Sequence, residues 1–242
     1  MQSYRPFRLT VRLCSPIIPT AFIPLLDGLL WGAWVRATGQ APSESDLPLD
    51  SSDGVYRASG MIVATGLESV DTVSWTQSIA RDTEQIPPAF LDQPACGHLR
   101  AGEVSKGAFK NASSEYTMML PHPNKIGPSG GWYVHFFGVG DGARCASLLR
   151  HLPGIGRKAS RGFGTISRDT DAVVAHPIGE DCSWIRDGRP MRPLPVTTWR
   201  NLPGANQDWP SIIAAVAPPY GTPRRIRCVA PDGYCLSAED LP

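Results

Sequence analysis

No run of apolar residues in this 242-residue chain approaches the roughly 18 that a membrane-spanning helix needs. Polar residues stand within residues 1–13 where a signal peptide would carry its apolar stretch, so the expected compartment is the cytoplasm. The six cysteines, Cys14, Cys96, Cys145, Cys182, Cys228 and Cys235, never form a CxxC pair, and Cys96 with His98 lacks the spacing of a zinc knuckle. Free buried thiols are expected instead of disulfides in that compartment. The hydrolase motif GxSxG is absent, and GPSGG at residues 127–131 lacks its spacing and reads as a turn. Nothing implies a metal or a cofactor. Acidic and basic residues nearly cancel, leaving a formal net charge of +1, so any polyanion site must come from local clustering.

What is present describes a globular chain, with 42% hydrophobic and 19% charged residues. Proline and glycine, 24 of each, favour short strands, many turns and few helices. Residues 7–14 alternate, with Phe7, Leu9, Val11 and Leu13 on one face and Arg8, Thr10, Arg12 and Cys14 on the other. This predicts a half-buried strand with a basic outer face. Pro16, Pro19 and Pro24 exclude continuous regular structure before Leu25. Leu26, Leu29, Leu30, Ala33 and Trp34 then mark one face of a helix. Gly28 and Gly32 lie on another stripe, where a neighbouring element could come close, and Asp27 suits the positive end of the helix dipole.

Residues 38–54, with Glu44, Asp46, Asp50 and Asp53, predict a mobile acidic loop turned away from any polyanion. Two strands are expected at 56–65 and 70–79. Residues 87–128 are irregular, with Cys96, His98 and His122 and a basic run of Arg100, Lys106, Lys110 and Lys125. An apolar strand follows at 132–138. Asp141 then caps a short helix whose inward face is Cys145, Leu148, Leu149 and Leu152, with Arg150 and His151 at its C-terminal end and Pro153 as its stop. Strand is expected again at 164–167 and 172–176. The last 60 or so residues carry Arg186, Arg189, Arg192, Arg200, Arg224, Arg225 and Arg227. Within them, residues 189–196 hold three prolines and are expected to run extended across a surface.

The most informative stretch is residues 154–164, GIGRKASRGFG. Its glycines can take positive φ and allow close backbone approach. Arg157, Lys158 and Arg161 can neutralise phosphates, and Ser160 can donate a hydrogen bond. From Arg150 to Arg168 there is no acidic residue, so the positive charge is concentrated here. Phe163 offers either a ring for a base to stack on or the first core residue of the next strand. The segment fits neither the P-loop spacing nor the spacing of the dinucleotide fingerprint, and it follows a helix instead of opening one. Two readings remain: an RNA backbone cradle, or a solvated connection whose charges keep it wet. Lys106 and Lys110 likewise flank Phe109 as two cations around a ring.

The helix motif LLDGLLWGA at 25–33, the glycine loop after a second helix, and RPMRPLPV at 189–196 together resemble the RAMP superfamily of CRISPR RNA-binding proteins. They resemble in particular the branch supplying the type IV effector subunit that grips the 5′ handle of the crRNA. The element order also fits an α+β, ferredoxin-like (RRM-like) βαββαβ core. The resemblance implies that core over residues 1–180, with a large thumb-like insertion at about 80–130 and a β-rich C-terminal extension, 181–242, packed on the same domain. It implies RNA contacts from Gly154, Gly156, Arg157, Lys158, Ser160, Arg161, Gly162, Phe163 and Gly164, and from Lys106, Phe109 and Lys110 in the thumb. The implied role is non-catalytic: capping the handle and nucleating the backbone filament of an antiviral or anti-plasmid ribonucleoprotein. The implied partners are the crRNA, the backbone RAMP subunit, the large subunit, target DNA through the assembled complex, and a separate helicase.

Some relatives of this kind cleave precursor RNA, so a metal-independent endoribonuclease is the alternative. That chemistry needs one group to activate the 2′-hydroxyl and another to protonate the leaving oxygen. His98 and His122, beside Lys106, are the candidates. His135 reads as a satisfied core residue, His151 as a helix-end residue and His176 as a strand-end residue.

Overall fold

The computed structural model describes residues 4–15, 17, 24–64, 70–77, 104–105, 108–109, 112–119, 132–156, 159–220, 225–231 and 235–236. It is a mixed α+β protein with mostly antiparallel sheets and few helices. The chain divides into two compact units. One is Val70–Met118, and the other joins Met1–Ser69 to Met119–Pro242.

The larger unit is built on β1 (Arg5–Leu13), α1 (Leu26–Thr38), β2 (Ile62–Ala64), β3 (Trp132–Gly140), α2 (Gly142–Leu149) and β4 (Val173–Pro177). Its sheet runs β4-β1-β3-β2 and gains a parallel edge strand from Cys235–Leu236 near the C-terminus. β1 pairs antiparallel with both β3 and β4, and β2 pairs antiparallel with β3. β1 is central because its alternation gives both faces work. Phe7, Leu9, Val11 and Leu13 are buried against Val134, Phe136 and Val173, with Leu26, Leu30, Cys145 and Leu149 from the two helices packed on the same side. Each such side chain, fully withdrawn from water, contributes about 1.5–3 kcal/mol. Asp141 caps α2 by accepting from the Arg144 amide (3.0 Å). α1 ends in Gly39 at φ +73°, a left-handed position suited to glycine.

The acidic segment is not the expected mobile loop. Leu47 and Leu49 are buried, Leu49 bridges Gly140, and Ser51–Ser52 pairs with Val55–Tyr56 in a tight hairpin. Its two leucines insert under the sheet end, which outweighs the polarity of its carboxylates. The strand expected at 56–65 is interrupted, with regular pairing only at Val55–Tyr56 and Ile62–Ala64. Residues 164–167 make isolated bridges at Thr165 and Ile166 instead of a strand.

The C-terminal segment has its own small core of Val55, Trp184, Leu194, Trp199 and Val229. It lies under a three-stranded sheet of Leu194–Pro195, Ile226–Val229 and Ser211–Ala214, with a short helix at Val196–Arg200. Residues 189–196 do not run across a surface as expected. Arg192 and Leu194 are fully buried.

Arg192 is the reason. Its guanidinium donates to the carbonyls of Tyr56 (2.7 Å), Ala58 (3.1 Å) and Val216 (2.6 Å), and to the Asp27 carboxylate (3.0 Å). Tyr220 donates to the same carboxylate oxygen (2.7 Å), and a Cβ on Gly28 would come within 2.9 Å of the Tyr220 ring. Burial opposes the charge on Arg192, but Asp27 and then Tyr220 outweigh it and raise its pKa. Burial, followed by Asp27, holds the Tyr220 hydroxyl well above the usual phenol range. Asp27 and Gly28 of the first-helix motif and Arg192 of the Pro-Arg motif therefore form one buried joint. Gly32 has open space around it and takes no part.

In the smaller unit, Val70–Gln77 pairs with the strand Ala112–Met119, and Val104–Ser105 pairs antiparallel with Ala108–Phe109. This unit overlaps the insertion expected at 80–130 and starts earlier in the chain. No helix among the described residues is long and apolar enough to cross a membrane.

Candidate nucleic-acid interface

The glycine loop leaves the C-terminal end of α2 and returns beside the end of β1. Its base is a pinch between two glycines. The Ile155 amide donates to the Gly164 carbonyl (2.8 Å), and Gly154 bridges Thr165. A Cβ on Gly154 would lie 2.6 Å from the Gly164 carbonyl oxygen, and one on Gly164, at φ +56°, would collide with the Ile155 carbonyl. The expected close backbone approach is therefore real at these two positions, but it is the loop's own backbone that approaches. Ile155 is fully buried and anchors the pinch in the main core.

A serine outside the motif secures the far side. Ser15 Oγ donates to the Gly162 carbonyl (2.6 Å) and accepts from the Thr165 amide (2.8 Å), while Thr165 Oγ1 donates to the same carbonyl (2.8 Å). The Cys14 amide donates to the Thr165 carbonyl (2.8 Å). Ala159–Arg161 forms one 3₁₀ turn at the outer part of the loop, closed by the Gly162 amide on the Ala159 carbonyl (3.1 Å). Ser160 and Gly162 are exposed, and Gly156 and Gly162 have φ near +93° and +92°. Phe163 is half-buried, between the two roles considered for it.

The cations divide by function. Arg150 donates to the carbonyls of Thr170 (2.7 Å) and Val173 (3.1 Å), tying α2 to the entry of β4. Arg168 is exposed. Arg12, expected on a basic outer face, is 4% exposed; its guanidinium meets Asp169 closely, Ser167 at 3.3 Å and Asp171 at 3.4 Å. The two carboxylates just after the acid-free stretch thus serve Arg12 beneath the loop. Arg157 and Lys158 lie outside the described residues, as do Lys106, Lys110, His98, His122 and Cys96; Arg161 and Phe109 are described for their backbone only.

Of the histidines expected to be structural, His151 is exposed at the end of α2. His135 is 6% exposed, and its Nδ1 lies 3.0 Å from Thr10 Oγ1 on the sheet face opposite the helices. Burial, then Arg8 and His176, pushes its pKa down to about 4. Ser15 and the Asp27–Arg192–Tyr220 joint had no local signal in the sequence, since the loop partners of Ser15 and both side-chain partners of Asp27 lie more than a hundred residues away. No protein-family model and no curated protein matches the chain.

Proposed function

We propose that the chain is a non-catalytic crRNA-binding subunit of a type IV CRISPR ribonucleoprotein that holds the 5′ handle of the crRNA in its glycine loop. The observation that carries this reading is the pinned base of the loop. Gly154, Gly164 and Ser15 hold it against the end of β1, so the exposed turn at 159–162 projects from a rigid sheet end. A preset scaffold lowers the ordering cost of binding a flexible single strand. Arg157, Lys158 and Arg161 fall in the part of the loop between those anchors.

We read the larger unit as a ferredoxin-like core. The support is its strand–helix–strand order, twice repeated, with β3 inserted between β1 and β2 and β1 between β3 and β4. The joint between α1 and residue Arg192 further supports the RAMP resemblance, because it gives both distant motifs one physical purpose. In this reading the smaller unit is the thumb, and the backbone and large subunits are the protein partners, acting in the cytoplasm with a separate helicase.

The test is a gel shift with a labelled repeat RNA, comparing wild type with an Arg157→Ala, Lys158→Ala, Arg161→Ala variant. Affinity should fall, and the slope of log K against log salt should flatten by about 2, as expected for three lost phosphate contacts on a single strand. Unchanged affinity and slope would discard the cradle. The same samples on a denaturing gel without metal test the endoribonuclease alternative, whose mark is site-specific cleavage lost on His98→Ala or His122→Ala.

A further inference from the structure

The small C-terminal sheet ends in an open edge. Its central strand, Ile226–Val229, pairs with Leu194–Pro195 on one side and with Ser211–Ala214 on the other, and no further described strand follows Ser211–Ala214. The Ala230 amide donates to the Pro210 carbonyl (2.9 Å), which fixes the alternation of this antiparallel ladder. Ile212, opposite Cys228, and Ala214, opposite Ile226, therefore turn their backbone groups inward. Ser211 and Ile213 aim theirs outward, at the spacing an added strand needs.

Soluble proteins ordinarily guard such an edge with a charged side chain, a proline or a bulge within the strand. Ser211–Ala214 has none of these. Ile213 is 62% exposed, the most exposed large apolar side chain among the described residues, whereas Ala214 and Cys228 on the opposite face are buried. The charge beside the edge is of one sign. Arg227 stands opposite Ile213 on the same face, and its Nε donates to Ser211 Oγ (3.0 Å). The side chain thus leans diagonally over the edge strand and brings the terminal nitrogens of its guanidinium to the open side. Among the described residues neither Arg227 nor exposed Arg225 forms an ion pair.

We infer that Ser211–Ala214 is a docking edge for an extended, acidic segment of a protein partner, which adds a fourth strand to this sheet. The segment's backbone pairs with the outward groups of Ser211 and Ile213, an apolar side chain lies beside Ile213, and a carboxylate meets the Arg227 fork. A peptide fits better than a nucleic acid, because it alone repeats amide and carbonyl at the strand's own spacing. A second copy of this chain fits poorly. Two such edges would bring an Arg227 from each to the seam with no carboxylate between them, and a four-residue strand buries little of what a stable dimer needs. The edge lies in the C-terminal segment and does not depend on the glycine-loop reading.

The test pans random dodecapeptides displayed on phage against the full-length protein and then measures the enriched peptides in solution by fluorescence anisotropy. The expected peptides alternate apolar residues, carry Asp or Glu, and slow hydrogen exchange at the Ser211 and Ile213 amides. Their affinity should fall at least ~tenfold in Ile213→Pro, which deletes one outward amide and leaves the ladder intact, and in Arg227→Gln. If the proline variant does not fold, Ile213→Glu at the same exposed position replaces it and should weaken binding by repulsion. Binding should persist in the Arg157→Ala, Lys158→Ala, Arg161→Ala variant. No enrichment, enriched peptides without acidic residues, or undiminished binding in the edge variant or in Arg227→Gln would overturn the inference. So would a concentration-dependent dimer lost in the edge variant, which would give the edge to a second copy. Protection of the two amides by repeat RNA instead of by peptide would give it to a nucleic acid and overturn the inference equally.

Discussion

Replacing Arg192 removes one partner from a buried pair and leaves Asp27 with the Tyr220 hydroxyl and its own helix amide. Arg192→Ala should cost about 3–5 kcal/mol in urea unfolding. Adding Asp27→Asn should recover part of that loss, because a neutral amide no longer needs the cation. His135 gives a second test at the same scale. Its folded pKa, about 4, lies below the ordinary 6.5. The unfolded chain therefore takes up the proton first as pH falls. The associated stability is present in full above pH 6.5 and lost as pH drops towards 4, by up to about 3 kcal/mol. Chemical unfolding of wild type and His135→Gln across that window should show a shallower pH slope in the variant. The sequence placed Asp27 near a helix start correctly, but a helix dipole explains an exposed carboxylate and could not foretell a buried one.

Among the elements, the glycine loop separates positions that need glycine for space from those that need it for φ alone. Gly164→Ala meets both a positive φ and the Ile155 carbonyl, whereas Gly162→Ala meets a positive φ in open surroundings. Gly164→Ala should therefore lower stability by more than about 2 kcal/mol and loosen RNA binding. Gly162→Ala should cost about 1 kcal/mol and bind RNA nearly as wild type. Thermal unfolding with the repeat-RNA gel shift checks both. Helices α1 and α2 were legible because their apolar spacing and the Asp141 cap are local signals. β1 was legible for the same reason. Residues 164–167 read as strand, yet Gly164 in the left-handed region and the hydrogen bonds of Ser15 turn the chain there. The acidic loop was misread because two leucines among polar neighbours give no period, and only the sheet end they cover makes them core.

Across the larger unit, the C-terminal segment supplies Arg192 and Tyr220 to α1 and the strand Cys235–Leu236 to the sheet edge. A chain stopped after residue 180 should lose its cooperative unfolding transition, since Asp27 would be left without its cation and the apolar partners of Val55 would be gone. Circular dichroism melts of that fragment against the full chain measure it. Periodicity along the chain was enough to foresee strands, helices, the basic glycine loop and a mixed α+β class, because those depend on neighbours within a few residues. Which charges would be spent inside was settled by packing. Arg12 and Arg192 read as surface cations, and each met its carboxylate only when segments over a hundred residues apart were folded together. Burial and pairing are properties of three-dimensional neighbours, and linear spacing carries no record of them.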